Sequence, residues 1–355
     1  MAQETPTSRL IGLYVWAEQT ILLALVRIIR QVARVDPLMR GITARLLIRR
    51  VVNRVNSELA QQTPAMIAAL IAEQFGAGGN VPPVPPRNAN GQPVPWFDPE
   101  MNHGDRAARQ IRNDLTSELS DVRYRLTRLD DDIYKAIGPE GAVGQVQDHL
   151  TPKQAQAAAW RDFLRHGVTG FTDKSGREWQ LSSYVEMAVR TAATRAYNAA
   201  RMEMVASNGG NELFVSDDGN PCPLCQPWQG RVLVITPDGV HPTVDEATAA
   251  GLFHPNCKHH LAEHIEGHTV LPEPQEWTAE DQERYNATQK QRALERQIRA
   301  AKREALYATT PEARSAATRD VRAAQAKMRA FLHDHENLLR RPHREQPDLS
   351  YPTTR

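Results

Sequence analysis

Cysteine is scarce, with three in 355 residues, an odd number, all between Cys222 and Cys257. That excludes a self-contained disulfide framework and points to reduced thiols in a protein made in a cytoplasm. Aromatic residues are thin at 6%, against 41% apolar overall. Alanine and arginine fill whole stretches instead, which predicts extended helices rather than a sheet-rich globule. Net charge is nearly absent at +1, so no global field draws the chain to nucleic acid. The start, Met1-Ala2-Gln3-Glu4, has no basic stretch and no small-residue cleavage site, so no signal peptide is expected. Uninterrupted apolar runs are lacking too. The most apolar stretch, Leu10–Ile29, contains Glu18, Gln19 and Arg27, and a helix centred on an acid makes a poor membrane span. No P-loop, GxSxG, HExxH or paired-carboxylate pattern is present, so no nucleophile–base pair offers itself for catalysis.

The length suits two or three domains, and composition divides the chain into five blocks. Residues 1–80 read as a helical arm. Apolar residues crowd Leu10–Val35 while Arg27, Arg30 and Arg34 share one face, Asp36-Pro37 opens a second helix to about Ala60, and a third covers Pro64–Phe75. The first 60 residues hold nine arginines against four acids. Such helices either pack on themselves or present an apolar face to a partner. The arm is the expectation here, because no globular segment follows to cover that face. Residues 81–99 carry seven prolines and read as a linker or strap. Residues 100–150 form a helical connector, from Asp98-Pro99 to about Ile137, with a seam of Leu115, Leu119, Val122, Leu126, Leu129 and Ile133.

Residues 151–270 read as a small α+β module. A helix opens at Thr151-Pro152, and residues 168–181 read as a turn or short hairpin around Asp173–Gly176. A long helix runs over about Ser183–Ser207 to the Gly209-Gly210 stop, and β-type runs follow at Leu213–Val215 and Arg231–Ile235. Thr191, Arg195 and Asn198 form a polar stripe on the long helix, either hydrated or buried as a network behind the following hairpin. Residues 271–355 read as an exposed or partner-facing helical hairpin, capped at Thr278–Asp281 and Thr310-Pro311, with a fraying Pro-rich end. The fold class is therefore mainly α, with a small α+β zinc-stapled module and elongated helical arms on both sides.

Chemistry concentrates in one constellation. Cys222-Pro-Leu-Cys225 is separated by 28 residues from His254-Pro-Asn-Cys257. A CxxC turn points two thiolates to one side and an HxxC turn can supply two more donors, which makes a closed Cys₃His set for structural Zn2+ with no vacant position for water. His259 or His260 is an alternate for the nitrogen ligand, with His264 also nearby. The thiols could instead be buried small hydrophobes or a redox pair, but prolines flank Cys222 where a redox CxxC opens a helix. Two knuckles are also similar to the frame of HNH nucleases, with His241 or the His254–His264 cluster as catalytic candidates. The chain lacks an Asp-His pair ahead of an Asn-containing helix at suitable spacing.

The run Val189-Arg-Thr191-Ala-Ala-Thr-Arg195-Ala-Tyr197-Asn198, then Pro221–Pro227 leading into Trp228-Gln-Gly230-Arg-Val232, then Asn256-Cys257-Lys-His259, resembles the phage minor capsid protein type 2 family, within the MuF-like head-morphogenesis group. Gln289-Lys-Gln-Arg292 and Glu295-Arg-Gln-Ile298-Arg299 look like its tail helices. The likeness covers about 183–305. It implies a non-enzymatic structural protein of the virion, inside the head and associated with the portal, made in the host cytoplasm and assisting assembly or DNA packaging and ejection. Implied partners are the portal and major capsid proteins, with no small-molecule substrate; the basic stripe of Arg27, Arg30 and Arg34 would face acidic protein surface or packaged DNA. The zinc expectation rests on this chain's own spacing.

Overall fold

The computed structural model describes residues 5–32, 37–79, 105–127, 160–161, 163–164, 171–172, 178–217, 219, 222–273 and 276–347. The proline strap, the connector beyond Thr127, most of the helix expected from Thr151, and Arg34 lie outside these residues.

Helix α1 (Pro6–Val32) carries the most apolar sequence. Leu10, Ile11, Tyr14, Ala17, Ile21, Leu22 and Leu25 are each 2% exposed or less, a helical stripe wholly removed from water. Glu18 is buried among them at 4% exposure. Its Oε2 accepts the backbone N–H of Ser182 at 3.2 Å, in the first turn of a later helix, where unsatisfied donors and the helix dipole favour a carboxylate. Tyr14 Oη meets Thr63 Oγ1 at 3.2 Å, and burial pushes its phenol up to about 12. The helix is long and apolar enough to cross a membrane, but the acid at its centre is used inside the chain, as befits a core helix. For α1 the structure departs from the expected arm with an apolar face awaiting a partner, since this chain covers that face itself, while Ile42 and Leu46 of the next helix are exposed.

Helix α2 (Pro37–Gly78) is one element with Pro64 inside it, where two helices were expected. Proline removes one backbone donor, but buried residues flank it on both sides, Val52, Val55 and Leu59 before and Ile67, Leu70 and Ile71 after. Packing outweighs the lost bond. In α3 (Asp105–Thr127) the predicted seam of Leu115, Leu119, Val122 and Leu126 is buried throughout.

The chain divides into two compact units. One comprises Ser8–Thr63, Leu119–Glu186 and Asn286–Arg355. Within it β1 (Phe171–Thr172) and β2 (Glu178–Trp179) pair antiparallel. Arg30 donates to the Ala308 carbonyl at 3.2 Å, and Trp160 Nε1 to the Tyr307 carbonyl at 2.8 Å. The two C-terminal helices, Ala279–Leu306 and Pro311–His333, pack through Ile298, Ala324 and Met328. Their interleaved charges are not all solvated, because Glu295, Arg303 and Glu304 are buried and Arg161 reaches Glu304 at 2.6 Å. Nor does the tail fray at Pro342. A 3-10 turn, Pro342–Glu345, packs Glu345 at 1% exposure under a two-pronged Arg340 contact at 2.7 and 2.8 Å.

The other unit comprises Met1–Thr7, Pro64–Glu118 and Met187–Tyr285. Helix α4 (Leu181–Ser207) ends on Gly209 at φ 77, with Gly210 N–H returning to the Val205 carbonyl at 2.9 Å. Three antiparallel strands follow, β3 (Glu212–Val215), β4 (Val232–Val234) and β5 (Leu261–Glu263), in the order β4-β3-β5. β3 and β4 match the sequence expectation; β5 and the short helix α5 (Val244–Ala249) do not appear in it. Yet α5 carries a legible signal, the capping box Thr243-x-x-Glu246, and both reciprocal hydrogen bonds form. α6 (Ala279–Leu306) starts at the predicted Thr278–Asp281 box and α7 (Pro311–His333) at the predicted Thr310 cap.

Candidate metal centre

The three cysteines lie on two turns that the sheet and α4 hold together. Beyond β3, Cys222–Cys225 closes as a turn, with the N–H groups of Cys225 and Gln226 donating to the Cys222 carbonyl at 3.1 and 3.0 Å. A 3-10 turn, Gln226–Trp228, then leads to Gly230. Gly230 has φ 69, and a Cβ there would meet the Pro272 carbonyl at 2.5 Å, so only glycine fits this re-entry into β4.

The second turn follows α5. Phe253 and Asn256 have φ 58 and 64, and Cys257 N–H returns to the His254 carbonyl at 2.9 Å. Asn tolerates the left-handed region, whereas at Phe253 it is a strained choice. Two residues of α4 secure this segment. Thr191 Oγ1 accepts the Asn256 N–H at 3.3 Å and Asn198 Oδ1 accepts the Leu261 N–H at 2.9 Å. The polar stripe on α4 is therefore a network behind the site at Thr191 and Asn198, while Arg195 is exposed. Arg201, on the same helix, pairs with Glu263 of β5 at 2.9 Å. Cys225 sits in the core with Met204, Leu213, Val215, Leu233 and Leu261, and Cys222 and Cys257 pack against it.

The donor atoms form two overlapping triplets, Cys222, Cys225 and His254, and Cys225, Cys257 and His259, each within 4.8 Å. Cys222 Sγ lies 3.1 Å from His254 Nε2, Cys225 Sγ 3.6 Å from Cys257 Sγ, and Cys257 Sγ 3.4 Å from His259 Nδ1. Tetrahedral zinc with bonds of about 2.3 Å to sulfur and about 2.0 Å to nitrogen sets edges of about 3.8 and 3.5 Å, close to these separations. The electrostatics agree with a cation-seeking set. Hydrogen bonding from the Cys225 thiol holds Cys222 down to about 3 and Cys257 down to about 4, aided by His254 and His259 respectively. Sharing with both neighbours pushes Cys225 up, and the contact with Cys222 lifts His254 to about 9. Crowded sulfurs thus share protons where a dication would replace them.

The remaining candidates lie elsewhere. His260 Nδ1 faces Ser216 Oγ at 3.2 Å and its ring meets Tyr197 edge-on. His264 pairs with Glu212 at 2.6 Å and His241 with Asp238 at 2.8 Å. Among the described residues, the two triplets are the groups of three or more His, Cys, Asp or Glu that converge. His241 is in neither, and nothing favours the nuclease reading. Arg27 is exposed on α1, while Arg30 is engaged by Ala308. Sequence reasoning missed Gln229, whose Nε2 lies 2.9 Å from His259 Nε2, and Asp217, which Gln229 meets at 2.9 Å. No spacing rule marks such residues.

A sequence model of the family described as Phage minor capsid protein 2 matches residues 102–333. The chain belongs to this family. The match is wider than the resemblance seen in 183–305 and contains both cysteine turns. A curated relative named Structural protein, from Lactococcus phage LL-H, is 27% identical over 233 residues, 61% of this chain and 62% of that protein. The chain thus spans less than two thirds of the length of the relative it matches. No solved structure matches the chain.

Proposed function

We propose that the protein is a structural component of a phage virion, held inside the head beside the portal, stapled by one zinc ion and without catalytic activity. The observation that carries this reading is the convergence of Cys222, Cys225 and His254 within 4.8 Å, with Cys257 on the same sulfur cluster, inside the family-matched segment. Every cysteine of the chain is engaged there, and a Cys₃His set is closed to substrate and water. Metal binding then supplies folding energy to a module with a small core.

The portal and major capsid proteins are the proposed partners, during assembly in the host cytoplasm and afterwards in the head, where the protein assists assembly or packaging and ejection of DNA. Arg27, exposed on α1, is a candidate contact with acidic protein surface or packaged DNA. The experiment is quantitative mass spectrometry and zinc analysis of purified heads, with cross-linking to the portal. A few copies per head, cross-linked to portal protein and carrying equimolar zinc, are expected. Absence from finished heads, or cross-links confined to other virion parts, overturns the portal reading.

A further inference from the structure

His254 and His259 both face sulfur, and distance does not separate them as ligands: 3.1 and 3.4 Å bracket the edge of about 3.5 Å for a zinc-centred tetrahedron. Their other nitrogens do. His254 Nδ1 lies 2.9 Å from the Pro255 carbonyl, which can only accept. The proton therefore stays on Nδ1, and Nε2, facing Cys222, is free to give its lone pair to a metal.

His259 is held the opposite way. Its Nε2 lies 2.9 Å from Gln229 Nε2. The orientation of that amide is set by Asp217, because Gln229 Nε2 also lies 2.9 Å from Asp217 Oδ1, which accepts the Gly219 N–H at 2.7 Å as well. An amide oxygen in that place would confront a carboxylate oxygen. Gln229 therefore presents its NH₂ and donates one hydrogen to Asp217 and one to His259 Nε2. With Nε2 accepting, the ring proton sits on Nδ1, pointing at Cys257 Sγ, and a protonated nitrogen has no lone pair for a metal. His259 is 2% exposed, so the ring cannot turn over without repacking.

We propose that His254 is the nitrogen ligand of the metal and that His259 is a positioning residue, its Nδ1–H donated to the Cys257 thiolate and its tautomer fixed by the Asp217–Gln229 pair. This rests on the reading of the cluster as a metal site. The relay holds the Cys257 side chain and disperses charge from a ligand sulfur, as partners behind a metal's ligands do.

The test uses the full-length protein loaded with cobalt(II), whose visible and sulfur charge-transfer bands report the ligand set. His259→Ala is expected to keep one cobalt per chain and the wild-type band shape, with affinity weakened about 10- to 100-fold. His259→Asn, which places an amide near the Nδ1 position, is expected to recover most of that loss; an amide nitrogen would not replace a ligating imidazole. His254→Ala is expected to change the band shape or lose the metal. Long-range 1H–15N spectra of the zinc-loaded wild type, labelled on histidine, need no variant to fold and should show His259 protonated on Nδ1 and bare on Nε2. A band shape changed by His259→Ala and kept in His254→Ala, or a protonated His259 Nε2, overturns this inference and leaves the metal reading standing. Wild-type protein that binds neither cobalt nor zinc overturns the metal reading itself.

Discussion

Asn198, in the middle of α4, accepts the backbone N–H of Leu261 on a buried Oδ1 at 2.9 Å, across 63 residues of chain. Seven residues earlier on the same helix Thr191 holds Asn256 in the same manner. The helix thus anchors both ends of the segment that carries Cys257 and His259. Geometry at the sulfurs is set from behind by amide and hydroxyl oxygens.

Asn198→Ala leaves the Leu261 N–H buried without an acceptor, a loss of about 1–3 kcal/mol. A lower Tm and faster zinc release to a chelator are the expected readouts. Asn198→Asp keeps an acceptor oxygen and should lose less. Equal Tm values for wild type and Asn198→Ala would show that this contact contributes nothing.

Removing the metal should unfold the cysteine module. Zinc is expected to contribute on the order of 10 kcal/mol to its folding, so chelator or Cys222→Ser should abolish dispersed amide signals from 211–264. The pH dependence follows from His254, whose contact with Cys222 lifts it to about 9 in the metal-free fold. That proton must leave before the ring can ligate, and the Cys225 thiol, pushed up by both neighbours, must release its own, so apparent zinc affinity should rise as pH climbs through about 9. A pH-independent affinity from neutral to alkaline conditions would contradict this.

Ile21→Ala should destabilise the unit that contains α1 by about 2–5 kcal/mol, the range for emptying a buried aliphatic site, because Ile21 is 1% exposed. Deleting residues 1–60 should then collapse that unit rather than release a folded remainder. Denaturant unfolding followed by circular dichroism checks both. A cooperative transition of unchanged midpoint in Ile21→Ala would restore the arm.

The tail clamp should loosen in acid. Hydrogen bonding to Arg340 holds Glu345 below its ordinary 4.5. Its folded value is depressed, so its contribution is complete above about 4.5 and is lost as pH falls through the folded value. Amide exchange over 338–347 should accelerate in that window, and Glu345→Gln should show the fast exchange already at neutral pH. Unchanged protection in Glu345→Gln would remove the clamp from the account.

Helix ends were legible because caps act within one turn. Thr278–Asp281, Thr310-Pro311 and Gly209-Gly210 each satisfy or terminate backbone groups next to them, and each stands at the expected place. Pro64 was misread for the same reason. Its local effect is to break a helix, but buried neighbours at Leu59 and Ile67 outweigh one missing hydrogen bond. Short β5 carries no alternation of its own; it exists because β3 offers it a partner edge.

What the sequence by itself determined is the donor chemistry: three cysteines and a histidine on two turns, their spacing, and the helices around them. These are local matters, settled by residue type and by contacts within a few positions. Tertiary structure alone decided that α1 is core rather than arm, since burial depends on neighbours distant in the chain. It alone placed Gln229 against His259 and Asp217 against Gln229, so that two histidines spacing cannot tell apart turn different nitrogens to sulfur, His254 its Nε2 and His259 its Nδ1. A tautomer is set by whatever faces the other ring nitrogen, and for His259 that partner is a side chain 30 residues away.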